Sequence, residues 1–367
     1  MIRGQPIPSG PERKMKAGGL KRFFQSGNLS LTAGASILFL FAFVAVFADF
    51  FAPYNPTEQD RSMPSAPASR IRFFDSNNRL HLRPFVYRMR LANPLFLRYE
   101  EATDSPVPIG FFVHGFQYRI FGFFETNLHL FGAADGNANV YLLGSDRLGR
   151  DRFSRLIYAI QYSLIAAPIG TLLASLIGIM IGLISGFSPR SIDLVLMGSA
   201  DAMLSLPTLI LILAARAAFP LELPPKRAIA LLIVVFALVG WAEMARLCRG
   251  LVKSLRSREF VMAARAIGAH PARILLRHIA PNTAGPLITQ ATLMLPAFLL
   301  AEISLSFLGV GIQEPMPSLG NMLAEAADVS RLAAQPLTLL SPAVAIFTLF
   351  LGVRLIASAR SKAGEII

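Results

Sequence analysis

The sequence predicts an all-α polytopic membrane protein with six transmembrane helices and a small β-containing extracytoplasmic insertion between spans 1 and 2. Three observations predict it. The 367 residues are 54% hydrophobic and only 16% charged, against about a quarter charged in soluble domains, so the chain lacks the polar surface to cover an aqueous globule of its size. Several charge-free apolar runs reach the roughly 20 residues that a helix needs to cross a bilayer core of about 30 Å. The formal net charge of +13 is concentrated in short segments beside those runs, as expected of loops retained in the cytoplasm. With 27 Gly, 25 Pro and one Cys, the collagen-like, disordered and disulfide-rich secreted classes are excluded.

The elements follow in chain order. Residues 1–26 read as a cytoplasmic basic tail, and residues 1–28 together carry +5; Gln5 to Lys16 has the composition of a low-complexity terminus. The first transmembrane helix occupies 27–51, where Gly27 to Ala48 is free of charge for 22 residues. That exceeds the apolar region of about 7–15 residues in a cleaved signal peptide, so it predicts an uncleaved anchor. Residues 52–150 hold 11 Arg and nine acids, and their longest charge-free apolar stretch, Ser105 to Tyr118, is 14 residues with two Pro. It is too short and too broken to span. Pro64, Pro67, Pro84, Pro94, Pro106 and Pro108, with Asn77-Asn78 and Asp135-Gly136, punctuate runs rich in Phe, Tyr, Val and Ile. Phe85-Val86-Tyr87 and Phe111-Phe112-Val113 therefore read as short strands between turns.

A helical core, 151–353, holds spans two to six. The second lies within Leu156 to Pro189, a stretch longer than one crossing that predicts a short interfacial helix at its start. The third runs from Leu194 to Ala215 around Asp201 and Pro207, and the fourth from Ala228 to Ala242. The fifth starts near Thr283 and meets Glu302 at its far end, and the sixth is Leu332 to Val353. Residues 354–367 form a tail of charge +2. Six crossings from a cytoplasmic N-terminus return the C-terminus to the cytoplasm, place 52–150 outside, and make the segment 243–282, with charge +6, a cytoplasmic loop.

That loop is the most informative stretch. Ser257 is positioned to cap a helix through Phe260 to Ala266, with Glu259 favourable in its first turn. Gly268 fits the left-handed position after the helix, His270-Pro271 restarts one, and Pro281 is expected to stop it. Two short helices thus meet at a glycine elbow, basic outside, with Ala263-Ala264 permitting close approach. Such a knob either docks into a cleft of another protein or lies against lipid headgroups through its arginines.

Met262-Ala263-Ala264, three residues, Gly268, and then His278-Ile279-Ala280-Pro281 resemble the EAA loop of membrane subunits of binding-protein-dependent ABC importers. The family pattern is Glu-Ala-Ala, three residues, Gly, nine residues and Ile-x-Leu-Pro. This chain keeps Ala263, Ala264, Gly268 and Pro281 and departs at Met262, His278 and Ala280. Further segments are similar to the dipeptide/oligopeptide (peptide/nickel) branch of that family: Arg277 to Asn282, Gly144 to Asp151, Asp201 to Pro207, Ser304 to Gly311, and Pro317 to Gly320. The likeness covers residues 140–325 and implies the type I ABC importer permease fold in a bacterial inner membrane. It implies a second, homologous permease subunit forming a heterodimer, two ABC ATPases and an extracytoplasmic solute-binding protein. ATP and Mg are expected in the ATPases, with no cofactor on this chain. The ATPase-docking residues it implies are Ala263, Ala264, Arg265, Gly268, His278 and Pro281.

Candidates for the translocation path are Asp201, Pro207, Glu302 and Ser306. Ionisable residues within a span face an interior or a water-filled path, although Asp201 also lies near enough to Arg190 to cap or snorkel, and Glu302 could pair with a partner's arginine. The five His show no ligand spacing, so no metal site is expected, and Cys248 reads as an inert thiol. Nucleic-acid binding is excluded by the absence of any helix-turn-helix or zinc-finger spacing beside the basic segments. No Gly-Lys pair occurs, hence no Walker-type phosphate cradle, and no Gly-x-Ser-x-Gly; an enzyme is not expected. A secondary transporter or channel without ATPases is the alternative, opposed by the docking loop and by the lack of repeated broken helices. A membrane-anchored sensor leaves six spans with polar positions unexplained.

Overall fold

A computed structural model describes residues 17–364 apart from 77, 121, 135–138 and 221–222. The tail 1–16, the Asp135-Gly136 turn and residues 365–367 lie outside the described residues. Helix α1 (Ala17–Val46) carries the anchor, and a single turn, α2 (Ala48–Phe51), leads from it into the insertion. There β1 (Arg72–Phe74), β2 (Leu80–Asn93), β3 (Arg98–Ile120) and β4 (Phe124–Ala133) form an antiparallel meander in the order β1-β2-β3-β4. The strands are far longer than the two short ones expected, because three of the prolines read as turns lie inside them. Pro84 falls within β2, and Pro106 and Pro108 within β3. Beside Pro106 the register slips, with Tyr87 opposite Pro106 but Arg88 opposite Ala102; a bulge is where a strand tolerates a residue without an N–H. The first half of β3 pairs with β2 and its second half with β4. Val86, Val107, Ile109 and Val140 form the small core beneath, and His129 ties the sheet to α2, its ring nitrogens 2.9 Å from Asp49 O and 3.0 Å from Phe116 O.

Helix α3 (Arg152–Phe187) starts at Asp151, whose carboxylate accepts the Ser154 N–H at 2.7 Å. Its 36 residues run about 54 Å at the α-helical rise. No separate interfacial helix precedes the second span: the cap starts the helix before Leu156, and nothing ends it until Ser188-Pro189. The third span is broken instead. Helices α4 (Arg190–Leu204) and α5 (Thr208–Ala217) meet at 89°, with Pro207 at the N-cap of α5, where its missing N–H leaves no hydrogen bond unmade. Helix α6 (Pro225–Arg256) runs on far beyond Ala242, because its later charges, Arg246, Arg249 and Lys253, all find acidic partners. The loop therefore begins at Ser257, with α7 (Glu259–Ala266) and α8 (Pro271–Ile274).

A π-helical turn, Leu275–Ile279, joins α8 directly to α9 (Ala280–Phe307). After α9 come α10 (Leu319–Ala324), a 3₁₀ turn at Glu325–Ala327, α11 (Val329–Ala334) and α12 (Pro336–Gly364). Leu332 thus belongs to α11, and the sixth apolar span is Thr338–Ala359. Among the described residues five helices are long and apolar enough to cross a membrane, or six with the bent pair counted as one. Helices α1 and α12 lie against each other at Gly34 and Gly352, while Gln335, just before α12, donates to Ser65 O near the sheet.

Small residues set the central contact. Gly170, Ala174, Gly178, Gly182 and Gly186 recur every fourth residue along α3 and are buried against α6. A Cβ at Gly178 would sit 2.6 Å from both Met244 Cβ and Trp241 O, and one at Gly182 2.5 Å from Cys248 Cβ. The main cluster of buried side chains, including Phe236, Met244, Phe298 and Leu299, extends from this seam.

Burial pushes the Asp151 carboxyl up to about 6, despite the hydrogen bonds of the helix N-terminus. A proton held more tightly in the folded state makes stability full below the ordinary carboxylate range and erodes it as pH rises through 6. Asp151→Asn keeps a capping acceptor and removes the charge. It should raise the melting temperature of the purified protein at pH 8, recovering part of a cost of about 3 kcal/mol, with the gain fading at pH 4.

Candidate functional site

The elbow is built from the backbone upward. Helix α7 is preceded by Arg258, not Ser257, at the N-cap; the Ser257 hydroxyl instead donates back to Ser254 O, closing α6. At its other end Gly268 takes φ +78°, Gly268 N donates to Arg265 O and Ala269 N to Ala264 O, at 2.9 and 3.1 Å. These two bonds satisfy the last carbonyls of the helix in a Schellman motif. His270 Nδ1 accepts the Ala272 N–H at the start of α8, with Pro271 in the first turn.

Pro281 does not stop the helix. Ala280 N donates to Leu275 O, five residues back, and this wider turn admits a proline whose ring would otherwise crowd the preceding turn. Asn282 Nδ2 donates to His278 O at 2.6 Å, satisfying a carbonyl in the same turn.

The two alanines face opposite ways. Ala264 is buried with Val261, Ile274 and Ile279 in the main core, whereas Ala263 is exposed. Met262, Ile267 and Leu276 of the same segment are exposed as well, Ile267 at 86%. These apolar groups are exposed, as are Arg258, Arg265, Arg273 and Arg277 of the same segment; they make up the outward side of the knob, and only Ala263 among the apolar ones was expected from sequence. Exposed Ile and Leu beside a buried alternate position were the available signal. Arg265 also braces the elbow from within: its guanidinium lies 5.7 Å from the Phe187 ring centre, which Arg256 approaches to 5.4 Å.

Nearby, Asp193 of α4 accepts Arg249 Nε at 2.5 Å, Arg249 Nη2 at 2.7 Å, Lys253 Nζ at 2.6 Å and Ser185 Oγ at 2.6 Å. One buried carboxylate thus joins α3, α4 and α6 just above the elbow. At the opposite end of α3 a second network forms where Gly144–Asp151 meets the segment after α9. Arg150 bonds Asp146 at 2.6 Å and Glu314 at 2.5 Å, and Arg155 bonds Glu314 at 2.7 Å. Arg155 also donates to Pro56 O and Pro315 O, at 3.2 and 3.1 Å, and Arg152 pairs with Glu325.

The four path candidates do not converge. Asp201 pairs with Arg246 at 3.2 Å on an exposed face, and Pro207 marks the bend. Glu302 and Ser306 are buried among the chain's own helices. Ser163 Oγ of α3 and Ser306 Oγ donate to the two carboxylate oxygens of Glu302, at 2.7 and 3.0 Å, and Ile312 N donates to Ser306 Oγ. They tie α9 to α3 and to the loop that follows.

The family described as "Binding-protein-dependent transport system inner membrane component" matches residues 178–361. The chain belongs to that family. Residues 28–68 match the N-terminal TM domain of oligopeptide transport permease C. The permease is 30% identical over 311 residues to the di/tripeptide transport system permease protein DppC of Pseudomonas aeruginosa, covering 84% of this chain and 80% of that protein. It is 37% identical over 221 residues to the dipeptide transport system permease protein DppC of Alkalihalophilus pseudofirmus, 60% of this chain and 70% of that one. The oligopeptide transport system permease protein OppC of Bacillus subtilis matches at 33% over 182 residues, 50% and 58% of the two chains. The permease is therefore an inner-membrane transport component, as its spans require, and the family to which it belongs is not itself catalytic.

A Cβ at position 268 would meet nothing within 4 Å, so Gly268→Ala isolates the backbone cost of the left-handed turn, about 1–2 kcal/mol. Amide exchange over residues 264–274 should quicken by roughly an order of magnitude, with the exchange of α3 and α6 unchanged.

Proposed function

We propose that this permease forms half of the translocation path for di- and oligopeptides or related solutes and is driven by cytoplasmic ATPases that grip residues 257–281. The observation that carries the reading is the elbow itself: exposed Met262, Ala263, Ile267 and Leu276 among exposed arginines of the same segment, held by a Schellman turn and continuous with α9. Exposed apolar groups on a projection braced against the helical body mark an interaction surface, which this reading assigns to a protein cleft. The names of the relatives support peptides as the solute class.

On this reading both termini and the elbow are cytoplasmic, residues 1–26 and 354–367 are tails, and 52–150 stand outside. The second half of the path comes from a homologous permease in a heterodimer, two ATPases bind and hydrolyse Mg-ATP, and an extracytoplasmic binding protein delivers the solute. Within this chain Ala263 is the docking contact, while Ala264, Arg265, Gly268, His278 and Pro281 shape the knob behind it. Asp201 and Pro207 stand at the break of the third span, and Glu302 and Ser306 brace the helix that moves with the elbow.

Mechanistically, closure of the ATPase dimer displaces the knob. Because α8, the π-helical turn and α9 are one helical stretch, the displacement passes to α9 as rigid-body motion, and the path alternates between its two sides.

Two experiments test the reading. Ile267→Glu places a charge on the docking face without entering the core; it should abolish copurification of the ATPases and solute uptake while the permease still reaches the membrane at normal levels. Retained uptake would sink the docking assignment. On the sheet, Phe96 and Phe123 are 73% and 85% exposed at the hairpin ends. Charged replacements there should cut stimulation of ATP hydrolysis by the loaded binding protein about tenfold, equivalent to roughly 1.4 kcal/mol of contact, with assembly of the complex intact.

A further inference from the structure

A cavity of ≈ 420 Å³ opens between the bend of the third span, α6 and α9. Its walls are mostly apolar, with Leu209, Ile212, Leu293 and Phe298 beside the hydroxyl residues Thr208 and Ser304, and one carboxylate, Glu243, stands in it beside Gln290. Gln290 Nε2 donates to Glu243 Oε1 at 2.8 Å. No cation pairs with Glu243 among the described residues, although the acids around it are matched: Asp201 by Arg246, and Asp193 by Arg249 and Lys253. Glu243 lies within the apolar span Lys226–Arg256, on an exposed face of this chain where the cavity opens; inside a membrane an ionised carboxylate there is costly unless it meets a counter-charge or a polar path. A neutral amide cannot supply that charge.

We propose that this cavity is the solute-contacting pocket of the permease and that Glu243 receives the ammonium group of the passing solute. The proposal rests on the permease reading and adds a specificity-determining residue to it. Beyond Glu243 the mostly apolar lining offers the solute's remaining atoms few directional contacts, those of Thr208, Gln290 and Ser304. A pocket of that kind selects one charged feature and tolerates variation elsewhere. Peptides with free N-termini share an α-ammonium group and differ in their side chains, which is the pattern such a pocket accepts. Glu302 cannot play this part, since both its oxygens are satisfied by serines in a closed interior.

The test uses the complete complex in proteoliposomes. A hydrophobic carbodiimide is applied, and modification of Glu243 is followed by peptide mass spectrometry. Propylammonium and trialanine should each slow the modification about tenfold, as a lost or gained 1.4 kcal/mol would, and N-acetyl-trialanine should not. Protection by propylammonium without protection by trialanine keeps the cation site and overturns the peptide reading. Protection by neither overturns the site. A Glu243 that reacts in the isolated permease but never in the complex lies under the second permease subunit, which also overturns it. In uptake assays Glu243→Gln should lower trialanine transport about tenfold and Glu243→Asp should retain most of it; wild-type uptake by Glu243→Gln is the contrary result.

Discussion

The contact between α3 and α6 is the constraint on which the architecture depends. In a bilayer the lipid tails are as apolar as the helix surfaces, so burial of apolar side chains gives helices little reason to associate. Close van der Waals approach must do it. The small residues at 170, 174, 178, 182 and 186 let the α6 backbone come within contact of α3, to the point that a single added methyl at Gly178 or Gly182 would overlap α6 atoms. With those two axes locked, Phe236 stacks on Phe298 at 4.7 Å, which seats α9 against the pair.

Polar interactions then act at the ends of this seam rather than along it. Buried ions are favourable only when their remaining donors and acceptors are also met. Asp193 satisfies that rule with a fork from Arg249, a lysine and a hydroxyl, whereas the Arg150–Arg155–Glu314 cluster meets it in part: Arg155 donates to the Pro56 and Pro315 carbonyls and to Glu314, while its Nε is left with no hydrogen-bond partner. The first network fixes α4 onto α3 and α6 beside the elbow; the second fastens the loop after α9 onto the start of α3. Between them, Glu302 and its two serines tie α3 to the far part of α9.

Much of this was legible in the sequence, and the failures share a cause. Span number, the insertion, the sheet and the Gly268 elbow follow from charge-free runs and from glycine chemistry, which are local. Ser257 was misread because its hydroxyl has two local options, and the preceding helix claimed it. Pro281 and Pro106 were read as breakers because a proline's lost hydrogen bond is local knowledge, while the π turn and the bulge that absorb it depend on neighbouring turns and strands. The end of α6 was placed too early because its arginines looked like solvent-facing loop charges until Asp193 and Asp201 came within reach across the bundle. Glu302 carried no signal that distinguished a brace from a path residue, since only Ser163, 139 positions away, decides it. The every-fourth-residue glycine pattern of α3 was the readable clue to the central seam.

The position of the breaks says how a movement at the elbow is distributed. From Pro271 to Phe307 the helical stretch is uninterrupted for 37 residues, about 55 Å at the α-helical rise, and its π turn keeps the helix continuous while offsetting its register. The inner faces of α7 and α8 belong to the same buried cluster as α3 and α6, so the elbow is an extension of the body and not a tethered loop. Among the described spans only the third is interrupted, by 89° at Ser205 to Pro207. A force on the apolar tip therefore meets stiff helix on the α9 side and a joint on the α4–α5 side. The cavity holding Glu243 lies between those two, so its walls are the surfaces whose separation a tilt of α9 changes first.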